Sequence, residues 1–140
     1  LKLVSAEVVL SSSDIVREEY YQNLMEKCES ALEKQWLSWV NDLNMKLPTS
    51  AQTYLAEANT RPDFTYHSGG LLTAIYIDGP VHDQAHGRAN DPRIDEVLRN
   101  HGILSIRFRH DQTKTEWLSI AKQYPSVFGI NPTEEGNHAI

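Results

Sequence analysis

Two adjacent glycines, Gly69 and Gly70, followed by the β-branched and aromatic run LLTAIYI (Leu71–Ile77), constrain this 140-residue chain more than any other feature. Glycine supplies the positive φ that a tight reversal needs, and the run after it suits a strand packed on a pleated surface. The segment from Asp63 to the turn reads as the partner strand, and Pro62 marks where the preceding pattern stops. Centring the turn between Gly70 and Leu71 places Asp63 directly opposite Asp78 on one face, with Cβ atoms about 5 Å apart. Two like charges so placed repel unless a cation or a shared proton lies between them. Oxygen-only ligands favour a hard ion, Mg²⁺ or Mn²⁺, over zinc. The geometry depends on register, because a slip of one residue sends the two carboxylates to opposite faces.

Around this hairpin the pattern alternates between helix and strand. Leu3 to Leu10 reads as a strand, and Ser11 to Asp14 form a helix N-cap cluster ahead of Ile15. Leu24, Cys28, Leu32, Trp36 or Trp39, and Leu43 recur at helical spacing, which predicts one or two helices running to about Asn44. Leu47 to Gln52, interrupted by Pro48, breaks that pattern, and a short helical piece or loop leads on to Thr60. After Asp78, Gly79-Pro80-Val81-His82 forms a tight loop that holds His82 close to Asp78, and His86 to Asp91 follows without strand or helix pattern. Pro92 suits the first helical position, Ile94, Val97 and Leu98 form an apolar stripe, and Gly102 suits the helix stop. Ile103 to Phe108 reads as a third strand, and a return to strand after one helix predicts a crossover onto the same sheet. A last helix, about Thr113 to Gln123, turns Trp117, Leu118 and Ile120 or Ala121 inward, and the tail from Asn131 is polar.

Composition narrows the class. One domain spanning 1–140 fits the length: an N-terminal extension or linker over 1–27, a core over 28–129 and a tail over 130–140. The single cysteine, Cys28, excludes a disulfide framework and a cysteine-rich zinc site, which makes a reducing cytoplasm the expected compartment. No apolar run approaches the roughly 20 residues needed to cross a bilayer, so no membrane partner is expected. Leu1 in place of an initiator Met leads to the expectation that the chain is part of a longer polypeptide. The net charge of −6 is unlike that of most free-standing nucleic-acid binders, but six of the eight basic residues after position 60 are Arg.

RPDFTY (Arg61–Tyr66), AIYIDGPVHD (Ala74–Asp83), RIDEVLRNHGILSIRFRHD (Arg93–Asp111) and WLSIAKQYPSVFG (Trp117–Gly129) together resemble a nuclease-like domain. It is the one at the C-terminal end of large bacterial DEAD/DEAH-box helicases, related to very-short-patch-repair endonucleases and the PD-(D/E)xK superfamily. The resemblance implies an α/β, restriction-endonuclease-like fold, a central mixed β-sheet flanked by helices. It implies a metal-dependent DNA endonuclease attached to a helicase, with Mg²⁺ or Mn²⁺ held by Asp63 and Asp78 together with Ile77. Glu33, in SALEKQWL, matches the glutamate that the N-terminal helix often contributes. His82 matches a histidine that orients or deprotonates water, a role its unperturbed pKa suits. Arg107 and Arg109, on alternate positions of the third strand, are the expected phosphate contacts, with Arg88 and Arg93 behind them. Tyr76 stands where many relatives have an acidic residue and the usual motif lysine is missing. Both departures favour an alternative, a degenerate non-catalytic DNA-holding or protein-docking module of a helicase or defence complex.

Overall fold

The computed structural model describes residues 12–80 and 92–131, so the expected strand at Leu3 to Leu10 and the residues His82 and Arg88 lie outside the described residues. Two helices open the described chain, α1 (Ser12–Lys27) and α2 (Ala31–Asp42), divided at Cys28, Glu29 and Ser30. The break has a local cause: the Ser30 hydroxyl accepts the Glu33 N–H at 3.1 Å, which starts a new helix. Strands β1 (Ser50–Ala51), β2 (Phe64–Ser68) and β3 (Leu71–Asp78) follow, then α3 (Pro92–Asn100), β4 (Leu104–Arg109), α4 (Lys114–Lys122) and the single turn α5 (Pro125–Phe128).

The four strands form one mixed sheet in the order β1-β2-β3-β4, with the first two pairings antiparallel and β3 parallel to β4. The crossover expected from the strand–helix–strand pattern is therefore present, through α3. Two elements of this part of the chain escaped the sequence reading. β1 sits within the Leu47–Gln52 segment read as a break, and α5 follows the last expected helix.

Residues Thr73 to Asp78 of β3 are buried without alternation, as befits a strand covered on both faces. On one face Ile75 and Ile77 join Ile106 and Phe108 of β4 against Trp36, Leu37 and Val40 of α2, Trp117 and Ala121 of α4, and Phe128 of α5. Leu24 of α1 is part of the same core, and the Arg17 guanidinium donates to the Met45 carbonyl at 2.8 Å, so α1 is docked on the domain. On the other face Ala74 and Tyr76 pack with Leu55, Ile94, Leu98 and Ile103. The first core is aromatic: Trp36 stacks on Phe64 with ring centroids 5.0 Å apart, and Trp39 meets Trp117 edge-on at 5.5 Å. Such pairs add specific geometry to simple burial.

The hairpin register differs from expectation. Ser68 pairs with Leu71 and Phe64 with Ile75, so every partner on β3 lies two residues earlier than a turn centred on Gly70 and Leu71 would give. The reason is the turn itself. Both central residues of the two-residue loop take positive φ, 58° at Gly69 and 83° at Gly70, and leucine is poorly suited to such a position. Continuing the ladder by one residue sets position 63 across from Tyr76 rather than Asp78. An even shift keeps each side chain on the same face of its strand, so the correction removes the direct opposition of the two aspartates without separating them to opposite faces.

A Cβ on Gly70 would meet nothing within 4 Å, so Gly70→Ala introduces backbone strain without a clash. The expected loss is about 1–2 kcal/mol in unfolding free energy, the usual penalty of the left-handed conformation for an L-residue. Urea denaturation checks it, and Gly69→Asn, which tolerates that conformation better, is expected to lose less.

Candidate functional site

Asp63 stands immediately before β2, after Pro62. Its Oδ2 accepts the Ile77 N–H at 2.7 Å, so the carboxylate continues the β2–β3 ladder where the backbone of β2 has ended. Burial raises the Asp63 pKa most, the nearby negative charge of Glu33 raises it further, and the Ile77 N–H pulls the other way. A hydrogen bond between the Glu33 and Asp63 carboxyls and the charge of Asp78 add to the rise, and the result is about 8. A carboxyl so placed keeps its proton through neutral pH.

Glu33 reaches this point from α2. Although helical spacing alone would put it beside Glu26 and Glu29 on a solvated face, it is 6% exposed. Its Oε1 accepts the Glu29 N–H at 3.0 Å and the Gln52 side-chain amide at 2.9 Å, and its Oε2 accepts the Ser30 hydroxyl at 3.2 Å. Glu33 therefore serves its own helix N-terminus and meets Asp63 at once. Gln52 was not anticipated by sequence reasoning. Its backbone N–H donates to the Asp63 carbonyl at 3.1 Å while its side chain holds Glu33, and to do both it adopts a φ of 59°. A left-handed glutamine has no signature in the string LPTSAQ.

Asp78, at the end of β3, is also nearly buried, which raises its pKa, while the adjacent Arg107 guanidinium and then the charge of Arg109 lower it. Arg107 Nη1 lies 3.4 Å from each Asp78 oxygen, Arg107 Nη2 lies 3.0 Å from Asp95 of α3, and the guanidinium sits 4.4 Å above the Tyr76 ring. Tyr76 in turn shares a 3.0 Å hydrogen bond with Thr60. The Arg107 guanidinium, expected as a phosphate contact, here faces two carboxylates of its own chain. Arg109 pairs with Asp111 at 2.7 Å on the surface, and Arg93 lies exposed on α3.

Ile77 brings its N–H to Asp63 while its side chain lies in the core. Cys28, near Glu33 and Asp63, has its thiol pushed up to about 12, first by burial and then by Glu33, so it stays protonated. Among the described residues no three His, Cys, Asp or Glu side chains are arranged to hold a metal ion together. Asp78 faces Arg107, and Glu33 and Asp63 form the close pair.

Comparison with family models, with curated proteins and with solved structures gives no match to this chain.

The raised pKa of Asp63 has a consequence for stability. An ordinary carboxyl titrates near 3.9 in the unfolded chain, so the fold favours the protonated form. That contribution is complete below about pH 4 and is lost as pH rises through the folded value of about 8. In EDTA, unfolding free energy is expected to fall between about pH 5 and 8, and Asp63→Asn is expected to flatten that slope. Urea midpoints across this range are the measurement, and an unchanged slope in the variant contradicts the assignment.

Proposed function

We propose that the chain is a metal-dependent nuclease domain of the restriction-endonuclease-like class, hydrolysing DNA phosphodiester bonds as part of a helicase-containing polypeptide or complex. The observation that carries the reading is that Gln52 ties together two acids thirty residues apart in sequence, its side chain donating to Glu33 at 2.9 Å and its backbone N–H to the Asp63 carbonyl at 3.1 Å. The mixed four-stranded sheet with helices on both faces agrees with that class.

The residues fit a hard divalent ion by donor chemistry. The pair Glu33 and Asp63 offers carboxylate oxygens only, and Asp63 retains a proton first because it is buried and then because Glu33 stands beside it, a conflict that Mg²⁺ or Mn²⁺ would relieve. Asp63 and Glu33 would hold the ion, with Asp78 and the backbone of Ile77 beside them. Such an ion supplies charge neutralisation at the scissile phosphate and acidifies water. The protein's part is to hold the carboxylates. Ile77 N–H fixes Asp63, the α2 N-terminus and Gln52 fix Glu33, and Arg107 fixes Asp78. His82, four residues beyond Asp78, is proposed as the group that takes the water proton. Phosphate grip is modest, since the chain carries −6 and Arg107 is engaged internally, so attachment to a DNA-delivering partner replaces intrinsic affinity.

A second reading, a non-catalytic DNA-holding or docking module, is favoured by one feature, the Asp78–Arg107–Asp95 arrangement over a buried Tyr76. It leaves the proximity of Glu33 and Asp63 without a purpose.

DNA cleavage by the chain is expected to require Mg²⁺ or Mn²⁺, to be strongest at low salt, and to fall on the order of a hundredfold in Asp63→Asn. The assay compares wild type and Asp63→Asn on single-stranded and duplex DNA in Mn²⁺ and in EDTA. Equal cleavage by both proteins indicates a contaminating nuclease, and no cleavage by wild type joined to its helicase establishes the non-catalytic reading.

A further inference from the structure

The outer edge of β4 is closed at both ends and open between them. In a parallel pair, alternate residues turn both their N–H and their C=O toward the neighbouring strand. The His110 N–H donates to the Asp78 carbonyl at 2.9 Å, so Leu104, Ile106, Phe108 and His110 face β3 with their backbone groups, and Ser105, Arg107 and Arg109 turn theirs away. At Arg109 both outward groups are engaged by side chains that follow in the chain. Its N–H donates to Gln112 Oε1 at 2.8 Å, and its C=O accepts the Trp117 indole N–H at 3.1 Å. At the other end the Ile103 N–H donates to the Leu98 carbonyl of α3 at 2.8 Å. Among the described residues the outward N–H and C=O of Ser105 and Arg107 have no such partner. A strand edge in that state is a template for another strand.

We propose that this window pairs with the same window of a second copy of the chain, β4 antiparallel to β4 about an axis at Ile106, so that the two sheets join into one. The window is complementary to itself. With Ile106 opposite Ile106, Ser105 of each copy faces Arg107 of the other, and every open N–H and C=O is matched. The neighbouring registers fail. Centring on Ser105 sets Arg107 against Ile103, whose N–H is already engaged. Centring on Arg107 sets Ser105 against the engaged Arg109 and places two arginines directly across from one another. Side chains favour the same choice, because directly opposed residues share a face. Leu104 lies on the face of Ile106 and Phe108 yet is 39% exposed, and the pairing sets it against Phe108 of the second copy. On the other face each Arg107 meets the second copy's Ser105, whose hydroxyl donates to Asp95 at 3.3 Å, so each guanidinium approaches a further carboxylate. The pairing runs no further, because Gly102, with a φ of 74°, turns the chain just before Ile103. A contact this short belongs with small, transient interfaces.

The test combines sedimentation and amide hydrogen exchange by NMR on the 140-residue chain, each from micromolar to millimolar protein. Wild type is expected to move toward dimer mass over that range. The Ser105 and Arg107 amides are expected to exchange roughly tenfold more slowly at the upper end, while the Arg109 amide, held by Gln112, keeps its rate. Ser105→Pro removes an outward N–H and no bond of the β3–β4 ladder, so it is expected to stay monomeric. Ser105→Ala, which loses the hydroxyl and keeps the N–H, is expected to associate like wild type. If Ser105→Pro does not fold, the wild-type amides decide. A wild type that stays monomeric at millimolar concentration overturns the inference. A dimer in which Ser105 and Arg107 exchange freely also overturns it and places the contact elsewhere. Protection of those amides at every concentration in a monomer overturns it in favour of another segment of the same chain.

Discussion

The stacking of Trp36 on Phe64 is the contact on which the candidate site depends. Each ring has a carboxylate as a near neighbour in sequence, with Glu33 one turn before Trp36 on α2 and Asp63 immediately before Phe64, the first residue of β2. Pinning the two rings 5.0 Å apart therefore brings the acids together as well. Trp36 is completely buried and also touches Phe108 at 5.2 Å and Trp39 at 6.4 Å, so its place is set by three elements at once. Among the described residues its indole N–H is the buried side-chain donor left without a partner. An unmet donor of this kind costs about 1–3 kcal/mol, and burial of the largest side chain among several rings offsets it. Aromatic packing here forces a charge conflict that the carboxyls resolve by keeping a proton.

The acids near the end of β3 are met differently. Among the described residues, the hydrogen bonds that Glu33 and Asp63 accept come from Ile77, Glu29, Ser30 and Gln52. Asp78 and Asp95 share the guanidinium of Arg107. One group of acids is thus supplied with a cation by the chain and the other is not. The difference follows from strand register, since parallel pairing sets Arg107 beside Tyr76, two residues before Arg109, the register partner of Asp78.

Much of this arrangement was legible in the sequence, and the exceptions have physical causes. The hairpin, the α3 crossover and the return strand β4 followed from the glycine pair, the Pro92–Gly102 bracket and the change of hydrophobic period. The register did not follow, because it turns on which two residues take positive φ, and two glycines outrank a glycine and a leucine for that role. Strand β1 is two residues long, too short to carry an alternation. Glu33 was found through its resemblance, whereas its own sequence neighbourhood of acids argued for solvent. Gln52 and Asp95 act through long-range contacts, at separations of 19 residues from Glu33 and 12 from Arg107, that no local pattern records. Arg107 was noticed for the right chemistry, a guanidinium for oxyanions, but the oxyanions belong to its own chain.

The most direct measurement is anomalous diffraction at the manganese edge from crystals of the chain soaked in millimolar Mn²⁺. The account predicts one strong peak within coordination distance of carboxylate oxygens of both Asp63 and Glu33. A map in which those oxygens carry no peak, with Mn²⁺ bound elsewhere or not at all, contradicts it.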